Sequence, residues 1–167
     1  TSATLDVMAD IHDNRIVSDL YMNTTGVNSI MLQMLPIIQL SDSAGSMKTD
    51  ITLRKSNALI NDTAWTVSPS RILLYKKNIE CHNVRFSNNT NSFLAIDGKA
   101  SDQPIDSLVA TLNNLEIKYI MSLVNWNVVR FAGKASGNVV VNNVLGGGVP
   151  DVRASLYVED LSVQEGP

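Results

Sequence analysis

The chain of 167 residues carries one cysteine and two histidines, with only 5% aromatic and 17% charged residues. A lone Cys81 excludes an internal disulfide and any zinc site built on several cysteines. The 13 basic and 16 acidic residues leave a net charge of −3, so no basic surface awaits a phosphate backbone and nucleic acid is not an expected partner. No secretory signal opens the chain, because residues 1 to 10 lack a basic start and an apolar core. The longest apolar run, Val27 to Leu40, is interrupted by Gln33, Pro36 and Gln39 and is too short to cross a bilayer. The two ends, TSATLDV and VQEGP, break off in patterned sequence, and a piece of a longer protein is expected.

What the chain does have is Val, Ile and Leu mixed with Asn, Ser, Thr and Asp, a blend that favours strands and turns. Alternation of apolar and polar residues is the dominant pattern. Leu5, Val7, Ala9 and Ile11 alternate with Asp6, Met8 and Asp10; HDNR supplies a turn, and Ile16, Leu20 and Met22 resume on a returning strand. Val27, Ile30, Met31 and Met34 fall on one helical stripe, which predicts a short helix that Pro36 ends. After an SDSAGS turn, Met47, Ile51 and Leu53 form a strand face. Strands then follow at Thr63 to Val67, Arg71 to Tyr75, Asn78 to Phe86, Ser92 to Gly98 and Asp106 to Leu115. In the third of these, Ile79 and Cys81 share a face with Val84 and Phe86 only if the phase slips near His82 and Asn83, which predicts a bulge or a strand break. Ile117, Ile120, Met121 and Val124 repeat the helical stripe, predicting a second short helix.

AGSMKTDITL at 44 to 53 lines up with AGKASGNVVV at 132 to 141, and the two helical stripes align at a similar offset, so the chain reads as a repeat of roughly 90 residues. The expected organisation is a partial first repeat at 1–55, a second at 56–145 and the start of a following strand unit at 146–167, within one continuous domain. In the stretch at 131 to 141, Gly133, Ala135 and Gly137 sit on the apolar side, where they would admit a close neighbour or mark a strongly twisted strand.

Catalytic patterns are absent. His12 and His82 have no spaced partners of the kind a metal requires. Asp97, Asp102 and Asp106 lack the spacing of a calcium loop and read as turn formers, and GGGVP at 146 to 150 lacks the Lys-Ser/Thr of a phosphate loop. The triplets that begin at Asn23, Asn61 and Asn88 fit chance in a chain this rich in Asn and Thr. The sequence therefore predicts a non-enzyme without cofactor. Its apolar strand faces could form the closed core of a β-sandwich or line an open groove that binds acyl chains.

The run from NDTAWTVSPSRILL through IECHNVRFSNNTNSFLAIDGKASDQPIDSLVATLNNLEIKYIMSLVNW to FAGKASGNVVV, then PDVRASLYVEDLSV, resembles the repetitive β-region of Bacteroidota-type TamB proteins, translocation and assembly module proteins related to AsmA-like proteins. The resemblance covers residues 61 to the end and, more weakly, the first sixty. It implies a mainly β fold, an elongated and curled antiparallel sheet whose apolar groove conducts phospholipid between inner and outer membranes. It further implies a periplasmic location, an inner-membrane anchor outside this segment, and a link to the outer-membrane assembly machinery. Groove-lining residues would be Leu5, Val7, Ile51, Leu53, Trp65, Val67, Ile72, Leu74, Ile79, Leu94, Ile96, Leu108, Leu112, Val139, Val141, Leu156 and Val158, with their inward face assigned from alternation. Exposed sheet edges would also permit edge-to-edge self-association. The rival readings are a self-contained β-sandwich binding module, for which sugar-stacking aromatics are scarce, and a structural repeat of a surface protein.

Overall fold

A computed structural model describes residues 2–25, 29–117 and 129–165. The protein is mainly β, a single antiparallel sheet of 13 strands. In chain order these are β1 (Ser2–His12), β2 (Arg15–Thr25), β3 (Ile30–Met34), β4 (Pro36–Ser43), β5 (Ser46–Leu53), β6 (Ser56–Ile60), β7 (Thr63–Val67), β8 (Ser70–Tyr75), β9 (Asn78–Asn88), β10 (Phe93–Ala100), β11 (Ser107–Glu116), β12 (Val129–Asn142) and β13 (Asp151–Glu165).

The pairing is simpler than the strand count suggests. β2 pairs with β3 through Leu20↔Met34 and with β4 through Val17↔Ile37, in one unbroken register. β9 pairs likewise with β7 through Val67↔Phe86 and with β8 through Arg71↔His82. β5 and β6 face β8 and β7 in the same register, Leu53↔Ser70 and Ser56↔Val67. Strands β3 and β4, β5 and β6, and β7 and β8 are therefore three long columns, each interrupted once. The sheet is an up-and-down meander of ten columns in chain order, held by local hairpins. Asp13 with Asn14, Ala44 with Gly45, and Asn61 with Asp62 all have positive φ, the two-residue turn that matches the twist of paired strands.

The interruptions lie side by side. They occur at Leu35, at Arg54 and Lys55, and at Ser68 and Pro69, and the phase slips again at His82 and Asn83, where the β9–β10 register shifts. Of the bulge and the strand break that the alternation allows, the structure has the bulge, since β9 runs unbroken through it. Asn83 takes φ 53° there, a left-handed conformation that Asn tolerates. Similar shifts fall in β11, where Asn114 has φ 49°, and in β13, where Asp160 has φ 51°.

Side chains repair the broken ladder. Asn83 N–H donates to the Asp97 carboxylate at 2.6 Å and Asn114 N–H to the Ser136 hydroxyl at 2.8 Å. Leu35 N–H donates to Ser56 Oγ at 3.2 Å, while Ser56 Oγ donates to the Arg54 carbonyl at 2.8 Å. Ser18 Oγ donates to the Pro36 carbonyl at 3.3 Å. Ser18 and Ser56 are themselves buried, and each hydroxyl pairs with a backbone group at the break in the ladder.

Several expectations need correction. Residues Ile30–Met34, read as part of a helix, form β3, with Ile30, Leu32 and Met34 on one face and Met31 and Gln33 on the other. A short apolar run satisfies both periods, and pairing on both sides with β2 and β6 selects the strand. Pro36 opens β4 instead of ending a helix, a position where its missing N–H is tolerated. Ser41 to Ser43 and Ser46 are likewise strand residues around a two-residue turn. The second expected helix, from Ile117 to Val124, lies outside the described residues beyond Ile117. The aligned AG pairs also differ in setting, since Ala44 and Gly45 form a hairpin turn while Ala132 and Gly133 lie inside β12.

The small residues of β12 have a backbone reason. Gly133 and Gly137 have φ 133° and 135°, a region L side chains avoid. A Cβ on Gly133 would stand 2.7 Å from the Glu159 carbonyl oxygen, and one on Gly137 would collide with the Ser155 carbonyl of β13. Gly137→Val is therefore expected to destabilise the fold by about 2–4 kcal/mol in urea denaturation, whereas Asn138→Val, exposed on the opposite face, changes it by less than about 1 kcal/mol. Equal and small losses at both positions would refute the role of the glycine.

Candidate functional site

In an antiparallel pair, directly opposed residues project to the same side of the sheet, so the registers assign every side chain to a face. Leu5 opposes Met22 and Val7 opposes Leu20. Ile51 opposes Ile38 on one side and Ile72 on the other, and Leu53 opposes Pro36 and Ser70. Ile72 opposes Cys81, and Leu74 opposes Ile79. Trp65 opposes Ala58, and Val67 opposes Phe86. Leu94 opposes Phe86 and Leu112, while Ile96 opposes Val84 and Ala110. Leu108 opposes Val141, and Val139 opposes Ala110. Leu156 and Val158 oppose Gly137 and Ala135. Every residue proposed from alternation thus lies on one face of one sheet.

That face also carries residues outside the proposed lining set: Ile16, Leu20, Met22, Val84 and Phe86, which alternation had placed on strand faces, and Leu32, Ile38, Leu40 and Leu115, which it had not. The Ile38 and Leu40 alternation was masked by the helical reading of the preceding stretch, and Leu115 by the slip at Asn114.

Burial divides the face. Ala58, Trp65, Leu112 and Leu115 form a buried cluster, against which Leu32, Ile60, Phe86, Leu94 and Val139 pack. β9 and β10 separate β7 from β11. At about 4.8 Å per strand the two would stand roughly 14 Å apart in a flat sheet, so contact between their side chains requires the sheet to bend toward this face. At the other end of the columns, Ile16, Ile38, Leu40, Ile51, Ile72, Leu74, Ile79, Leu108 and Val141 are only half-buried. At the outer columns Leu5 is 65% exposed, Val7 57% and Leu156 44%. The breaks in the columns separate the closed end from the half-open one.

The opposite face is mixed, with charged and polar groups set among Val17, Ile37, Leu73, Val109 and Val140. Arg71 donates to both Asp50 oxygens from Nε at 2.9 and 3.1 Å, and this hydrogen-bonded guanidinium lowers the Asp50 carboxyl below its usual range. Arg85 stacks 3.6 Å from the centre of the Phe93 ring, covering it. A hollow on this side is lined by Ser43, Lys48, Leu73, Tyr75, Asn78, Glu80 and Lys99. Lys99 is committed to Asp106 at 3.1 Å, and Tyr75 donates to the Ser43 carbonyl at 3.1 Å. The candidate calcium carboxylates are likewise spent on structure: Asp106 accepts from Ser101 Oγ at 2.6 Å, and Asp97 serves the Asn83 bulge. Among the described residues no group of three or more His, Cys, Asp or Glu could hold a metal ion. His82 lies 3.6 Å from Glu80 on this mixed face.

Cys81 is the one reactive group on the half-open apolar face, between Ile72 and Gly98. Burial raises its thiol pKa, and the Asp97 carboxylate adds to the rise. Its alkylation by iodoacetamide is therefore expected to keep accelerating above pH 9, beyond the point where an exposed peptide thiol levels off; a plateau near pH 8.5 would show that the site is wetter than the fold implies.

No helix among the described residues is long and apolar enough to cross a membrane. No family model, curated protein or solved structure matches the chain.

Proposed function

We propose that the half-open apolar face is a groove for lipid acyl chains, and that the chain is a segment of a TamB-like protein carrying phospholipid between inner and outer membranes in support of outer-membrane biogenesis. One observation carries this reading: among the described residues a single sheet presents an apolar face on which Trp65, Leu112 and Leu115 are buried while Ile38, Ile51, Ile72, Leu74 and Ile79 are only half-buried. In a protein core, side chains such as Ile38, Ile51, Ile72, Leu74 and Ile79 meet a second layer. Among the described residues no second sheet supplies one. Each methylene of an acyl chain transferred onto such a surface would contribute roughly 0.8 kcal/mol, so a partly covered chain suffices for binding without any polar recognition. The charged groups of the outer face, among them Asp50, Arg71, Glu80 and Lys99, suit an aqueous setting, and a periplasmic location with an anchor elsewhere follows from the same reading.

The cluster around Trp65 favours a second reading, a self-contained binding or structural β-domain whose apolar face is filled entirely by its own side chains. The two are separated by asking whether lipid occupies the half-open end. Purified from a Gram-negative host, the chain is expected to carry phospholipid detectable by native mass spectrometry. Added phospholipid is expected to slow alkylation of Cys81 in the stripped protein several-fold. Ile72→Asp, which sets a charge against the acyl chain, is expected to lower lipid affinity by at least about tenfold while the far-ultraviolet circular dichroism is retained. Lipid-free protein whose Cys81 reacts at one rate with or without phospholipid would support the self-filled domain instead.

A further inference from the structure

The two ends of the columns differ in charge. At the end where the apolar face is half-open, Lys76 and Lys77 form the turn between β8 and β9, and Lys48 and Lys99 stand on strands beside it. The described turns at the other end, at 61–62 and 89–91, hold Asn, Asp and Thr with no Lys or Arg. In a chain whose net charge is −3, four amines gathered at one rim are a local reversal of sign.

The registers place these amines around one hollow. Lys48 opposes Tyr75, Tyr75 opposes Asn78, and one step inward Glu80 opposes Lys99. Their side chains line a hollow of about 210 Å³ on the mixed face. Lys76 holds its amine 5.1 Å from the centre of the Tyr75 ring, at the lip of that hollow. Lys99 is shared with Asp106 at 3.1 Å, and Glu80 offsets a further charge. Among the described residues the amines of Lys48, Lys76 and Lys77 have no carboxylate partner.

Only backbone separates this hollow from the apolar face. Leu74 and Ile79, opposed on the apolar side, are the chain neighbours of Tyr75 and Asn78, which line the hollow. A lipid whose acyl chains lie against Leu74 and Ile79 therefore has one two-residue turn between its glycerol and the lysines.

We infer that the rim at Lys48, Lys76 and Lys77 binds the phosphate of a phospholipid whose acyl chains lie on the half-open face. The site rests on the reading of that face as an acyl-chain groove and adds to it a selection by head group. A phosphodiester keeps its negative charge at neutral pH, and ammonium groups on flexible stems meet its oxygens as point charges without a fixed geometry. Solvated amines each add a modest increment, so the acyl chains supply most of the affinity and the rim sets which end of the lipid lies there.

Slowing of Cys81 alkylation in the stripped protein reads the affinity for didecanoyl phosphatidylglycerol and for didecanoyl glycerol, which has the same chains and no phosphate. The unmodified chain is expected to bind the phospholipid about tenfold more tightly, by a margin that shrinks as salt is added. Lys48→Gln combined with Lys77→Gln is expected to bring the margin below about threefold with the affinity for didecanoyl glycerol unchanged. Lys55→Gln combined with Lys134→Gln, an equal loss of charge at exposed sites away from the rim, should leave the margin intact. Equal affinity for the two lipids, or an equal loss in both pairs of variants, would overturn the head-group site and leave the acyl groove standing. Binding of neither lipid would remove the groove and the site with it. Binding of glycerol phosphate without either lipid would assign the lysines to a free phosphate ester, against the inference.

Discussion

The two-residue period of a strand is the constraint on which this molecule depends. A single sheet can have one apolar face only if every column keeps its phase, and a slip of one residue would send half its apolar side chains to the other side. The chain slips repeatedly and still keeps its face, because each slip is absorbed by a bulge. At Asn83 the apolar set passes from Ile79 and Cys81 to Val84 and Phe86; at Asn114 it passes from Leu112 to Leu115. Asn and Asp are suited to these places, since they accept the left-handed backbone that an extra residue demands. The amides of Asn83 and Asn114, which lose ladder partners, find Asp97 and Ser136 across the strand.

These repairs explain how a sheet with few aromatics and modest charge can bend while its interrupted ladder finds partners, although Ser70 Oγ, buried beside the break at Pro69, has no hydrogen bond. Bulges sharpen local bending and twist, and here they lie near the interruptions at Leu35, Arg54 and Pro69. Buried Ser18 and Ser56 supply short hydroxyls where a larger side chain would hold the columns apart. Bending toward the apolar face lets Trp65 reach Leu112 and Leu115, closing one end of the face, and the positive-φ glycines of β12 let β13 approach closely at the far side. The local devices and the distribution of burial are thus one arrangement: slips that conserve phase also set where the face closes.

Much of this was legible in the residues. The bounds of β7, Thr63–Val67, are those read from alternation, and the slip in β9 was visible because Ile79, Cys81, Val84 and Phe86 could not otherwise share a side. The whole set of proposed lining residues falls on one face for the same reason, since alternation reports sidedness even when strand order is unknown. What alternation could not report is how far each residue is covered. Leu5 and Val67 look alike in sequence, yet one is 65% exposed and the other 0%. Where the apolar run was short, as from Ile30 to Met34, two periods fitted equally and only the neighbouring strands could choose between them.

The exposure gradient from Val67 to Leu5 follows from position in a one-layer sheet. A central column has a hydrogen-bonded neighbour on each side and, where the sheet bends, side chains facing it across the hollow. An outer column has one neighbour and no side chains opposite, so its apolar residues stay wet however well they fit the pattern. Lengthening the sheet moves this problem outward without removing it, because each added column brings a new open edge; only closure into a barrel, a cap, or another sheet laid edge to edge removes it. β1 and β13 have kept apolar alternation into the outermost columns, where an isolated sheet would gain solubility from charge. The exposure of Leu5 and Leu156 is thus set by their place in the outermost described columns and not by their residue type.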